Sequence, residues 1–104
     1  MIEKVYKLTQ AEEKTIEKVL LDENLHYLHM ILGENEGLPI HHTNSNVYMT
    51  VLRGRLSIAL DEQDTNEYAA GTLLKIPFNT KMNAQNLHGE TLELTVVKAP
   101  APKD

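Results

Sequence analysis

The stretch Gly71-Thr72-Leu73-Leu74-Lys75-Ile76-Pro77-Phe78-Asn79-Thr80-Lys81-Met82-Asn83-Ala84-Gln85-Asn86 reads as two short strands joined at a proline. Ala69-Ala70-Gly71 makes the turn that opens it, and residues 72–76 form the first strand. Pro77 stops that strand, because proline has no N–H to give to a ladder. Residues 81–86 form the second strand, closed by the turn Leu87-His88-Gly89-Glu90.

The same pattern extends outward in both directions. Thr91-Leu92-Glu93-Leu94-Thr95-Val96-Val97 reads as a strand, and Leu25-His26-Tyr27-Leu28-His29-Met30-Ile31-Leu32 as one covered on both faces. Gly33 and Gly37 bound a loop. Residues 47–60 read as a hairpin that turns or bulges at Arg53-Gly54, and Asp61 to Asn66 form a polar turn before a short strand at Tyr68. Residues 1–10, with Val5, Tyr6 and Leu8, suit an edge strand. Residues 11–21 leave helix and strand both open: Glu and Lys favour helix, and Ile16, Val19 and Leu20 stand at helical spacing. Asp22-Glu23-Asn24 is a turn, and residues 99–104, Ala-Pro-Ala-Pro-Lys-Asp, are expected to form a loose, flexible tail. Many short strands between Gly- and Asn-rich turns predict an all-β sandwich or barrel, one domain over residues 1–98.

Composition narrows the function. A chain of 104 residues is large enough for one core, and 41% apolar with 24% charged residues is ordinary for a soluble globular protein. With four Tyr, one Phe and no Trp, the core must come from Leu, Ile, Val and Met. A net charge of −5 without clustered Lys or Arg lacks the footprint of a nucleic-acid binder. The absence of cysteine excludes disulfides, thiolate zinc sites and a Cys nucleophile. No run approaches a membrane span and no apolar leader is visible, so no membrane partner and a cytoplasmic location are expected.

Two spacings carry chemistry. Five residues separate Gly71 from Pro77, and Asn79, Met82 and Asn86 follow in turn. Earlier, Pro39-Ile40-His41-His42-Thr43 is followed by Asn44-Ser45-Asn46, Val47 and, after six intervening residues, Gly54. Together they resemble the two signatures of the cupins, small barrels that usually hold a metal in their mouth. The second signature is Gly, five residues, Pro, one residue, Gly, two residues, His, three residues, Asn. The first is His, one residue, His, three or four residues, Glu, six residues, Gly. The match covers roughly residues 39–86 and implies a cupin-type double-stranded β-helix, a jelly-roll barrel.

The departures bear on function. In the resemblance, His41 takes the first His position, but Thr43, Val47 and Met82 stand where His, Glu and His bind metal, and Asn79 replaces a glycine. His42 substitutes for Thr43 if the loop shifts by one, so His41 and His42 are the candidate metal ligands, for a divalent ion or, with Met82, for Cu(I). His26 and His29 lie three apart in a strand and face opposite sides; His29 could point inward and complete a site with His41. His88 is expected to be solvated, and Ser45 and Ser57 lack a nucleophile motif.

Alternation places Val47, Met49 and Val51 on one face, and Met82, Ala84 and Asn86 on another. This makes His41, Met49, Met82 and Asn86 the candidate lining of a mostly apolar small-molecule pocket. The expected function is therefore a small-molecule-binding module with an incomplete metal site. The alternative is a metal-dependent enzyme of isomerase or dioxygenase type with a non-standard ligand set. A homodimer, paired through residues 1–10, is expected in either case.

Overall fold

Residues 15–21, where spacing left helix and strand open, form a strand. The computed structural model describes residues 1–103 and has nine strands: β1 (Thr15–Leu21), β2 (His26–Leu32), β3 (His41–His42), β4 (Val47–Arg53), β5 (Arg55–Leu60), β6 (Asn66–Ala69), β7 (Leu73–Ile76), β8 (Lys81–Gln85) and β9 (Leu92–Lys98). They pair antiparallel into two sheets, of order β1-β2-β9-β4-β7 and β3-β8-β5-β6.

The helical spacing in β1 has a β-sheet cause. Its pairing with β2 slips between Lys18 and Leu20, so a bulge at Val19 breaks the period of two. Ile16, Val19 and Leu20 then mimic a helical stripe.

The core lies between the sheets. Leu28, Met30 and Leu32 of β2, Val47, Met49 and Val51 of β4, and Leu92, Leu94 and Val96 of β9 face Leu56 and Ile58 of β5 and Met82 and Ala84 of β8. Fully burying each such Val, Leu, Ile or Met contributes about 1.5–3 kcal/mol.

Three sequence expectations change. Residues 47–60 are not a hairpin: β4 and β5 belong to different sheets, and the chain crosses between them at Gly54, φ 81°. Residues 1–10 form no strand. Residues 99–103 are tied down rather than loose, since Ala99 N–H donates to Asn46 O, Ala101 N–H to Asn24 O, and Ser45 Oγ to Pro100 O. Proline cannot join a ladder, but the alanines between the prolines keep their donors. Asp104, part of the expected tail, lies outside the described residues.

Candidate functional site

At the motif positions, apolar packing and hydrogen bonds occupy the places where the related pattern carries ligands. Val47 and Met82 are core residues. Thr43 is buried, and its hydroxyl donates to Pro77 O and accepts from Thr80 N–H, both at the β7–β8 turn. Backbone bonds from Thr43 N–H to Thr80 O and from Asn79 N–H to Thr43 O complete the link. Asn79 has φ 63°, so it keeps the left-handed backbone suited to a glycine, which Asn tolerates better than most residues.

The expected metal ligands do not converge. His41 and His42 are both exposed, and as neighbours in a strand they point to opposite faces. His41 pairs across from Met82 and His42 from Lys81, so the set of His41, His42 and Met82 cannot enclose a copper ion. His41 Nδ1 lies 2.8 Å from Pro39 O, and Thr43, not His42, fills the second position. Among the described residues, no group of three or more His, Asp or Glu is arranged to hold a metal. The donor set does not fit a cupin metal centre.

The expected pocket lining is dispersed as well. Met49 and Met82 are packed in the core, and His41 is outside it. Asn86 is fully buried and wholly engaged: Nδ2 donates to Leu32 O at 3.0 Å and Glu90 O at 2.9 Å, and Oδ1 accepts from His88 N–H at 3.0 Å.

His29 does not point toward His41. It lies on the sheet face away from the core, opposite Glu17 of β1, and is fully buried there. Its Nδ1 is 2.6 Å from Glu17 Oε1 and its Nε2 is 2.6 Å from Glu93 Oε2. The bulge between Val51 and Arg53 turns Arg53 to that face, opposite Glu93. Arg53 Nε is 3.5 Å from Glu93 Oε1, and its guanidinium also donates to Glu12 and to Ala11 O.

Thr9 donates to Glu17 through both its N–H and its hydroxyl, which holds the Glu17 carboxyl below its ordinary range, with a smaller contribution from His29. Glu12 is lowered chiefly by Arg53. Residues 9–14 therefore lie as a strap over this face, fastened also by Lys14 to Gly37 O. Sequence reasoning missed the cluster because its members are 12 and 64 residues apart.

His88 is less solvated than expected, since its Nε2 lies 2.8 Å from Glu67 Oε2. Ser57 donates to that same oxygen, so the imidazole is not placed to take the serine proton, and the trio is no nucleophilic triad.

None of three cavities among the described residues is lined by His41, His42, Met49, Met82 or Asn86. A cavity of about 540 Å³ opens between the C-terminal residues Pro100 to Lys103, the β3–β4 loop at Asn44 to Asn46, and Phe78. One of about 410 Å³ lies between Lys4, Tyr6 and Leu8 and the strands β1 and β2. A polar one of about 270 Å³ lies beside the strap at Glu12, Arg53 and Glu93. No helix is long and apolar enough to cross a membrane among the described residues.

Two facing antiparallel sheets of this order, entered and left at these turns, define a double-stranded β-helix barrel. The chain is 38% identical over 104 residues to an uncharacterised protein of Methanocaldococcus jannaschii, covering 99% of this chain and 90% of that one. It superimposes with a TM-score of 0.93 on the crystal structure of an RmlC-like cupin family protein from the same organism, at 38% identity, covering 96% of this chain and 93% of the other. An RmlC-like cupin from Desulfovibrio desulfuricans shares the fold at a TM-score of 0.75 and 21% identity, over 95% of this chain and 98% of that one. No family model matches the chain. The chain belongs to the RmlC-like cupin family.

Proposed function

We propose that this cupin is a small-molecule-binding module whose ligand seats at one end of the barrel, against Phe78 and the C-terminal residues. The observation that carries this reading is the 540 Å³ cavity, a size typical of small-molecule sites. Its wall is mostly apolar, from Phe78, Pro100, Ala101 and Pro102, and Asn44 and Lys103 stand at its edge. Phe78 is 64% exposed, a large ring with one face free to stack. A flat apolar molecule bearing one acceptor or anionic group matches that lining.

Benzoate, which is anionic, and quinoline, whose ring nitrogen is an acceptor, are suitable probes, with binding followed by calorimetry or saturation-transfer NMR. Phe78→Ala should weaken the better probe about tenfold, as expected for losing a stacked ring, while the melting temperature stays within a few degrees. Unchanged affinity in the variant, or no binding of either class by the parent, would count against the reading.

A homodimer belongs to the same proposal. Ile2, Val5 and Tyr6 are exposed apolar side chains on a segment without strand partners in its own chain, and a second copy would cover them. Light scattering should give twice the chain mass, and removal of residues 1–7 should give a monomer. A monomeric parent, or a dimer that survives the truncation, would overturn this part.

A further inference from the structure

We infer that Glu17, His29 and Glu93 form a two-proton latch that fastens the N-terminal strap to the outer face of the barrel, and that losing one proton loosens the strap. Both ring nitrogens of His29 lie 2.6 Å from a carboxylate oxygen. A neutral imidazole has one N–H and one lone pair, and an ionised carboxylate has only lone pairs. Two contacts this short therefore require two protons, because a lone pair facing a lone pair at this distance is repulsive.

The protons belong on the ring. Glu17 already accepts two hydrogen bonds from Thr9, which favour its ionised form. Glu93 faces the Arg53 guanidinium, with Nε 3.5 Å from Oε1. The latch is thus an imidazolium between two carboxylates, fully buried at the histidine. The charged groups packed around it are Glu17 from β1, Glu93 from β9, Arg53 from β4 through Glu93, and Glu12 from the strap through Arg53.

Removing one proton leaves one carboxylate facing a bare lone pair, and that contact must open. Either carboxylate carries a strap fastening. Glu17 holds Thr9, and Glu93 faces Arg53, which holds Ala11 and Glu12. Acid works through Glu17. Its carboxyl is lowered in the fold, so its contribution is present above the ordinary glutamate range and fades as pH falls through the lowered value. The strap is closed between these limits.

The test is an NMR titration of the whole chain from about pH 5 upward, past the point at which the His29 ring gives up a proton. It follows the His29 ring nitrogens and the protection factor of the Thr9 amide, corrected for intrinsic exchange. Both nitrogens should carry protons while Thr9 is protected, and Thr9 protection should fall at least about tenfold as the ring loses one. Glu93→Gln supplies the contrast. Its amide can donate to the bare Nε2, so Thr9 should stay protected when the ring is neutral. A neutral His29 ring in the parent with Thr9 still protected overturns the inference, and this readout needs no variant to fold. An identical pH profile for the parent and Glu93→Gln overturns it too.

Discussion

Gly54→Ala should lower stability by about 2–5 kcal/mol, the sum of a left-handed backbone cost of about 1–2 and a packing clash of about 1–3 kcal/mol. Gly54 has φ 81°. A Cβ there would collide with the Thr91 carbonyl oxygen and come within 2.9 Å of Leu92 Cα. Both obstacles are backbone at the entry to β9, which pairs with β2 and β4, so neither can swing aside. The same residue is the point where the chain passes from one sheet to the other. A shift there would also disturb the bulge that aims Arg53 at Glu93.

Gly71→Ala is the control. Gly71 has φ 92°, but a Cβ on it meets nothing within 4 Å, so only the backbone cost of about 1–2 kcal/mol applies. Urea denaturation of both variants measures the difference. Equal losses would mean that the Thr91 contact is relieved at little cost.

Asn86→Ala should cost about 3 kcal/mol, because it leaves buried carbonyls without a donor at about 1–3 kcal/mol each. The Asn86 side chain bonds to two segments: Leu32 at the end of β2, and the β8–β9 turn through Glu90 and His88. Its backbone joins a third, the loop after β2, with Asn35 N–H donating to Asn86 O and Asn86 N–H donating to Glu36 O. Asn86→Asp separates shape from chemistry. The isosteric carboxylate cannot donate, and it faces the oxygens of Leu32 and Glu90, so it should be at least as destabilising as alanine. Thermal unfolding of both variants checks this. If Asn86→Asp were as stable as the parent, the two donations would contribute little. If Asn86→Ala kept its stability but lost ligand affinity, the residue would belong to a binding site after all.

Most turns were legible in the sequence because turn chemistry is local. Gly54 and Gly71 take positive φ, Pro77 ends β7, and Asn79 adopts the left-handed backbone of the glycine it replaces. The inward faces of β4 and β8 followed from alternation, since each strand has one core face. Alternation failed in β1, where the bulge at Val19 shifts the period, and it was silent in β2. There Leu28 to Leu32 are buried on both faces, so nothing local tells which way His29 points.

The sequence by itself determined the strand-and-turn order, the barrel class and the departures from the metal-ligand pattern, because each depends on residues close together in the chain. Only the tertiary structure decided what stands in the vacated places. Core packing holds Val47 and Met82, the β7–β8 turn engages Thr43, and the tail and Phe78 line an open cavity. It also decided that Glu17, His29 and Glu93 meet under the N-terminal strap. These are contacts between distant residues, set by strand register and by which sheet each strand joins, and neither is written in local spacing.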